Sequence, residues 1–303
     1  MVEHLDIRRF SPGDEGAILR LFETSFGHAM GTDYWRWRYQ DNPVGGPAIE
    51  LAWEGDTLAA HYAVSPVELE LDGKPIKAAL SMTTMTHPDY RGLGLFPKLA
   101  GRLYARLAEE GYELVFGFPN VQSHRIFARD LGWQDLAPVP MMRLELGTAR
   151  LEKSAEAVEV RLAEEIACAS HDAGVTLRRS AAFLSWRFEQ EPEHDYRFFK
   201  SKNDAAYIVV KRFGEEMDIV DYAGSGDAAA GLISAFGVRA REEGVTAFNT
   251  WMPVFDPRFG ALEKLGFVPG APVTYMGGRS LAGAEDLFKP ERWHVTMGMS
   301  DVF

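Results

Sequence analysis

The chain repeats itself. YWRWRYQDNP, starting at Tyr34, matches FLSWRFEQEP, starting at Phe183, with Trp37/Trp186, Arg38/Arg187, Tyr39/Phe188 and Pro43/Pro192 in register. IFARDLGW in the first half has its counterpart in ALEKLGFV in the second. Between these landmarks each half reads as strand, glycine loop, helix, short strand, helix, and several landmarks in one order argue against chance likeness of amphipathic helices. Two copies of one α/β unit are therefore expected, joined near residues 147 to 157. The boundaries read as a first domain over 1–146, a second over 158–283 and a tail over 284–303. The fold class is α+β, a mixed central sheet flanked by helices in each repeat.

Composition narrows the setting. A chain of 303 residues, 46% apolar and 25% charged, buries roughly three quarters of its unfolded surface and forms a core without covalent staples. Its one cysteine, Cys168, cannot close an intrachain disulfide, and no paired Cys/His spacing offers a metal site, so no metal is expected. A reducing, cytoplasmic location fits. MVEHLDIRRF carries acids and arginines without an apolar h-region, and no apolar run approaches the roughly 20 residues of a bilayer span, so no membrane association is expected. A net charge of −12 without a basic, aromatic-interleaved stripe argues against nucleic acid as a partner.

Local patterns order the first half. VEHLDIRRF alternates like a strand, and DEGAILRLFETSF has helical spacing, with Ser11 or Asp14 as N-cap. AIELAWEG and TLAAHYAV are strand-like runs around Gly55-Asp56. VELEL and KPIKAALSMTTMT flank Asp72-Gly73, a two-residue hairpin signal that needs positive φ. After His87-Pro88 come a glycine-bearing loop, a helix of about fifteen residues, the short buried strand ELVFGF and the helix VQSHRIFARDLG.

The sharpest chemistry lies in MTTMTHPDYRGLGLFPKLAGRLYARL. Gly92 and Gly94 let the backbone turn tightly, and a helix starting near Leu95 leaves its first N–H groups without intrahelical partners. With the helix dipole and the guanidinium of Arg91, this is a site suited to a pyrophosphate. GxxxxGK[ST] is absent, and Pro97 stands at the third glycine position of a dinucleotide fingerprint. GSGDAA, from Gly224, matches that fingerprint better, but Asp227 would put a carboxylate where phosphate should sit. A turn capped by Ser225 or Asp227 explains it instead.

At these residues the sequence resembles the GNAT N-acetyltransferases. HPDYRGLGLF is similar to their acyl-CoA loop, R/Q-x-x-G-x-G/A, with Arg91 and Gly94 at the defining places. FPNVQSHRIFARDLGW is similar to their following segment, with Asn120, Ser123 and Leu131-Gly132-Trp133 in register. The likeness covers about residues 1 to 145 and reaches the second half through the repeat, as in tandem relatives that include aminoglycoside-modifying "enhanced intracellular survival" acetyltransferases. The resemblance implies acetyl-CoA as co-substrate in a V-shaped gap between two strands. It places pantetheine on Thr84, Met85 and Thr86, pyrophosphate on Arg91, Gly92, Leu93, Gly94, Leu95 and Phe96, and further contacts at Asn120, Ser123 and Phe127. Phe96 replaces the usual Gly or Ala. Phe127 occupies the place of the tyrosine that often protonates the departing thiolate.

Transfer to an amine requires a neutral amine, a polarised carbonyl and a stabilised thiolate. KAALSMTTMT contains no carboxylate. The titratable candidates are His87, which also reads as a strand-end residue before Pro88; His124, one residue past Ser123; and Tyr104, whose spacing with Leu103 and Leu107 also reads as packing. The C-terminal Phe303 is a further candidate, since some tandem relatives place a terminal carboxylate in the active site. YWRWRYQDNP reads either as an acceptor-pocket wall or as a helix closing each unit. The expected function is transfer of an acetyl group from acetyl-CoA to the primary amine of a small molecule, in a chain able to form a homodimer, with a second repeat too degenerate to bind CoA. The alternative is a non-catalytic acyl-CoA-binding module.

Overall fold

The computed structural model describes residues 4–152, 155–161, 166, 174–283 and 285–302; Cys168 and Phe303 lie outside them. Two compact units divide the chain: Met1–Leu69, Ile76–Asp135 and Gly277–Phe288 form unit one, and Glu70–Pro75, Leu136–Met276 and Lys289–Phe303 form unit two.

Unit one opens with β1 (Asp6–Arg9), α1 (Glu15–Phe26) and α2 (Thr32–Tyr39), followed by β2 (Ala48–Glu54), β3 (Thr57–Leu71) and β4 (Lys74–Thr86). Asp14 is the N-cap residue of α1 but makes no capping bond from its side chain. Its carboxylate is instead held by both arms of Arg8 at 2.7 Å. β3 and β4 turn at Asp72 and Gly73, whose φ values of 52° and 76° are those the two-residue hairpin demands. Next come α3 (Leu95–Glu109), β5 (Leu114–Gly117) and α4 (Val121–Asp130). The sheet of this unit runs β1-β2-β3-β4-β5. On one face, α3 buries Leu95, Leu99, Leu103 and Leu107 together with Tyr62, Val64 and Val115. On the other, Ile18, Leu21, Trp35 and Tyr39 of α1 and α2 pack on Ile49, Leu51, Met82 and Met85.

Unit two holds β6 (Gln134–Glu145), β7 (Ala157–Val160), β8 (Val175–Leu177), α5 (Ala181–Leu184, continuing as a wider turn through Glu189), β9 (Tyr196–Ser201), β10 (Tyr207–Phe213) and β11 (Glu216–Ala223). α6 (Gly226–Glu242), β12 (Ala247–Trp251), α7 (Phe259–Leu265) and most of β13 (Val268–Ser280) complete it. From α5 onward the order repeats that of unit one from α2: helix, three strands, helix, short strand, helix, strand. β12 runs parallel to β11 as β5 runs parallel to β4. Within unit two β6 pairs with β12, and within unit one Gly277–Ser280 of β13 pair with β5.

The repeated Trp-Arg-aromatic segment is structural in both copies. Trp37, Arg38 and Tyr39, like Trp186, Arg187 and Phe188, are buried. The buried polar residue just beyond each triple pins the next turn in the same way: Asn42 Oδ1 accepts from Val44 N at 2.9 Å, and Glu191 Oε1 accepts from Glu193 N at 3.1 Å.

Candidate functional site

β4 and β5 pair in parallel only from Ala78–Leu114 to Leu80–Phe116, and β4 then continues alone on that side through Ser81–Thr86. Three residues past the last pair, Thr83 has a φ of 48°. This left-handed conformation costs a threonine of order 1–3 kcal/mol and re-aims the backbone amides that follow. The kink is held from β3: Nδ1 of the buried His61 donates to Thr83 O at 2.8 Å. That bond fixes the tautomer, leaving the Nε2 lone pair buried with no hydrogen-bond partner among the described residues. Burial pushes the His61 pKa down to about 4, so the ring is neutral at pH 7. At the same vertex Gly117 leaves room for a close approach: a Cβ there would lie 3.1 Å from Ser81 O and 3.3 Å from the Ser81 Cβ and the Trp133 ring, so those neighbours would have to give by a few tenths of an ångström. The strands thus separate at a vertex with Ser81, Thr83 and Gly117 around it.

The chain leaves β4 through a short 3-10 turn, Pro88–Tyr90, and reaches the glycine loop. Gly92 and Gly94 have φ values of 78° and 70°, and a Cβ built on either meets nothing within 4 Å. Gly94 is the N-cap residue of α3, so the N–H groups of Leu95 and Phe96 have no partner within the helix. Arg91 is exposed and makes no ion pair among the described residues. A left-handed N-cap glycine, open space beside it and an unpaired guanidinium make an anion cradle that fits a pyrophosphate.

The other residues singled out in the sequence are placed as follows. Thr84 and Thr86 are half-buried on the unpaired end of β4, while Met85 is buried in the core beneath α1 and α2. Leu93 packs at the edge of the α3 core; Leu95 and Phe96 are buried in it. Phe96 points inward, its ring 5.4 Å from Tyr62 and 5.0 Å from Phe127, so its bulk does not crowd the loop. Asn120 caps α4, its Oδ1 accepting from Gln122 N and Ser123 N at 3.0 Å, and Ser123 Oγ lies 3.1 Å from the same oxygen. The hydrogen-bonding capacity of both is thus largely spent on the helix start. His87 Nδ1 accepts from Asp89 N at 3.4 Å, a local cap of the 3-10 turn. His124 Nε2 lies 2.6 Å from Asp135 Oδ1.

Tyr104 is buried at 2% exposure and belongs to a polar chain. Trp133 Nε1 donates to Tyr104 Oη at 3.0 Å, Tyr104 Oη lies 2.8 Å from Tyr62 Oη, and Tyr62 Oη lies 2.8 Å from Ser81 Oγ. Burial raises both phenols well above their ordinary pKa. Phe127 abuts this chain, 4.2 Å from the Trp133 ring, and carries no hydroxyl of its own. Sequence reading missed His61, Tyr62, Ser81, Thr83 and Gly117. The one available signal was a histidine within the apolar run TLAAHYAV.

A parallel pair of strands parted at a kink, with a glycine cradle at the following helix, defines the acyl-CoA N-acyltransferase architecture. The family model described as an acetyltransferase (GNAT) domain matches residues 6–135. Residues 6–135 are thus similar to an acetyltransferase (GNAT) domain, a likeness that supports acyl-transfer chemistry. The fold likeness extends further. A probable N-acyltransferase from Enterococcus faecalis V583 aligns with a TM-score of 0.73 at 12% identity, over 92% of this chain and 73% of that one. A GCN5-related N-acetyltransferase from Kribbella flavida gives 0.72 at 15% identity, over 92% and 71%. Eis1 from Mycobacterium abscessus gives 0.63 at 13% identity, over 91% and 73%. No curated protein matches the chain in sequence.

Proposed function

We propose that the protein is an N-acetyltransferase that uses acetyl-CoA to acetylate the primary amine of a small molecule, in the cytoplasm, through a site built wholly by unit one. The observation that carries this reading is the cradle of Gly92, Gly94 and the α3 N-terminus, with Arg91 unpaired beside it, at the end of a strand that has parted from its parallel neighbour. Acetyl-CoA supplies the activated thioester. The amides of Arg91–Phe96 would hold its pyrophosphate, and the freed edge of β4 at Thr84–Thr86 would pair with pantetheine. The kink at Thr83, locked by His61, keeps that edge open. Backbone N–H groups along this edge would also meet the thioester carbonyl, where preorganised donors are most effective. Proximity supplies the larger part of the acceleration for an amine of low pKa.

Unit two reads as a degenerate repeat of a tandem GNAT protein. A Cβ at Gly224 would come within 2.7 Å of Ala206 Cβ, and one at Gly226 within 3.2 Å of Ala261 Cβ, so this loop is filled by packing. Ser225 caps α6 and Asp227 stands in its first turn, where an anion would be repelled. One acyl-CoA per chain is expected. Unit two is assigned to a homodimer surface.

A second reading, a non-catalytic acyl-CoA-binding module, is favoured by Phe127, which is buried without a hydroxyl, and by the lack of any carboxylate on β4. An assay for free CoA thiol across a panel of amino sugars, polyamines and amino-acid derivatives separates the two. Amine-dependent thiol release supports the enzyme; background hydrolysis with every amine, despite measured acetyl-CoA binding, sinks it.

A further inference from the structure

The chain Trp133–Tyr104–Tyr62–Ser81 has a direction. An indole N–H can only donate, so Tyr104 Oη accepts at that end. The Tyr104 hydrogen is buried, and Tyr62 Oη is its one acceptor among the described residues. Tyr62, having accepted, passes its own hydrogen to Ser81 Oγ. Any other arrangement strands a buried hydroxyl hydrogen, which costs about 1–3 kcal/mol. The hydrogen of Ser81 is therefore the loose end. It has no acceptor among the described residues, and Ser81 stands at the vertex, against the bare Cα of Gly117, where β4 and β5 part. Each donor in such a series polarises the next, so the terminal hydroxyl is a stronger donor than an isolated serine.

We propose that Ser81 is a catalytic residue of the acyl transfer, its Oγ–H donating to the thioester sulfur as the thiolate forms. This rests on the acetyl-CoA reading of the site. The carbonyl oxygen is served by backbone amides of β4, whereas Phe127, beside the chain, offers sulfur nothing. Ser81 donates while the C–N bond to the amine forms and the C–S bond breaks. The bonding pair stays on sulfur, the proton lost by the amine goes to water, and CoA leaves as thiolate. No proton need travel along the chain. Tyr62, Tyr104 and Trp133 are positioning residues that orient the donor.

The test uses the full-length protein and Ser81→Ala, Tyr62→Phe and the double variant, each checked for a native circular dichroism spectrum. The first readout is the pKa of the CoA thiol bound to the protein, followed by thiolate ultraviolet absorbance. Ser81→Ala should raise it by about one unit relative to wild type, the scale of a lost hydrogen bond to a charged group. The second is turnover: Ser81→Ala should lower kcat by about 10- to 100-fold with KM for acetyl-CoA within about two-fold. Tyr62→Phe should lower kcat less, and the double variant no further than Ser81→Ala alone. An unchanged thiol pKa together with unchanged kcat in a folded Ser81→Ala overturns the proposal while leaving the acetyl-CoA site intact. Additive losses in the double variant overturn the oriented chain. Failure of the wild type to bind CoA at all overturns the site reading, and this proposal with it.

Discussion

His61 makes the vertex sensitive to acid, and the size of the effect follows from its burial. The ring is 1% exposed and its pKa is pushed down to about 4, against about 6.5 for a free histidine. Between these two values the unfolded chain holds a proton that the folded chain refuses. The folded-state pKa is depressed, so wild-type stability is complete above about pH 6.5 and is lost as the pH falls toward 4. For one proton with these two pKa values, the loss between pH 7 and pH 4.5 is about 2.5 kcal/mol. His61→Asn isolates it, because the asparagine amide can still donate to Thr83 O but cannot titrate. Urea denaturation of both proteins at the two pH values gives the comparison. The stability advantage of wild type over His61→Asn should shrink by about 2 to 3 kcal/mol on acidification, the other titrating groups cancelling in the difference. Equal losses in the two proteins would refute the placement of a neutral, desolvated imidazole behind Thr83.

Other outcomes follow from the same structure. Arg179 and Asp221 form a buried pair at 2.7 Å in unit two, with Thr296 and Tyr207 also donating to the carboxylate. Arg179→Met should cost about 3–5 kcal/mol in denaturant titrations by leaving that carboxylate short of its cation, and a loss below about 1 kcal/mol would show the pair to be solvated. Gly224→Ala should lower the melting temperature, since its Cβ would meet Ala206 at 2.7 Å, yet leave acetyl-CoA affinity unchanged. Weaker acetyl-CoA binding by that variant would place a ligand in unit two. Trp186→Ala, at a side chain 2% exposed, should cost about 3–5 kcal/mol in thermal or chemical unfolding. A small effect there would revive a pocket-lining role for the repeated Trp-Arg segment.

Much of the first unit is legible in the sequence because its signals are local. Asp72-Gly73 announces a hairpin through its φ requirement, Gly94 and Leu95 announce the start of α3, and the Trp-Arg-aromatic segments announce a repeat. The loop cradle was readable for the same reason: glycines and an orphaned helix start lie within a few residues of Arg91. What stayed hidden is what joins distant positions. Nothing about a threonine in KAALSMTTMT signals a left-handed φ, which Thr83 adopts because His61, on the neighbouring strand, holds its carbonyl. Ser81, Tyr62 and Tyr104 alternate or recur as ordinary strand and helix residues, and only the sheet brings their hydroxyls to 2.8 Å. The pairing of β6 with β12 and of β13 with β5 was equally invisible, since a strand's apolar pattern records that it is paired and not with which partner. Asn120 illustrates a polar residue whose motif position suggested a ligand while its side chain caps a helix.

The central claim is that unit one holds acetyl-CoA on the Gly92–Gly94 cradle. Gly94→Asp tests it most directly, because the position tolerates a side chain sterically, with nothing within 4 Å of its Cβ. The left-handed φ should cost the variant only about 1 kcal/mol of stability, while its carboxylate stands where the pyrophosphate would sit. Titration calorimetry with acetyl-CoA should give one site per chain for the wild type and no measurable binding for the folded variant. Two sites in the wild type, or unchanged affinity in Gly94→Asp, would contradict the account.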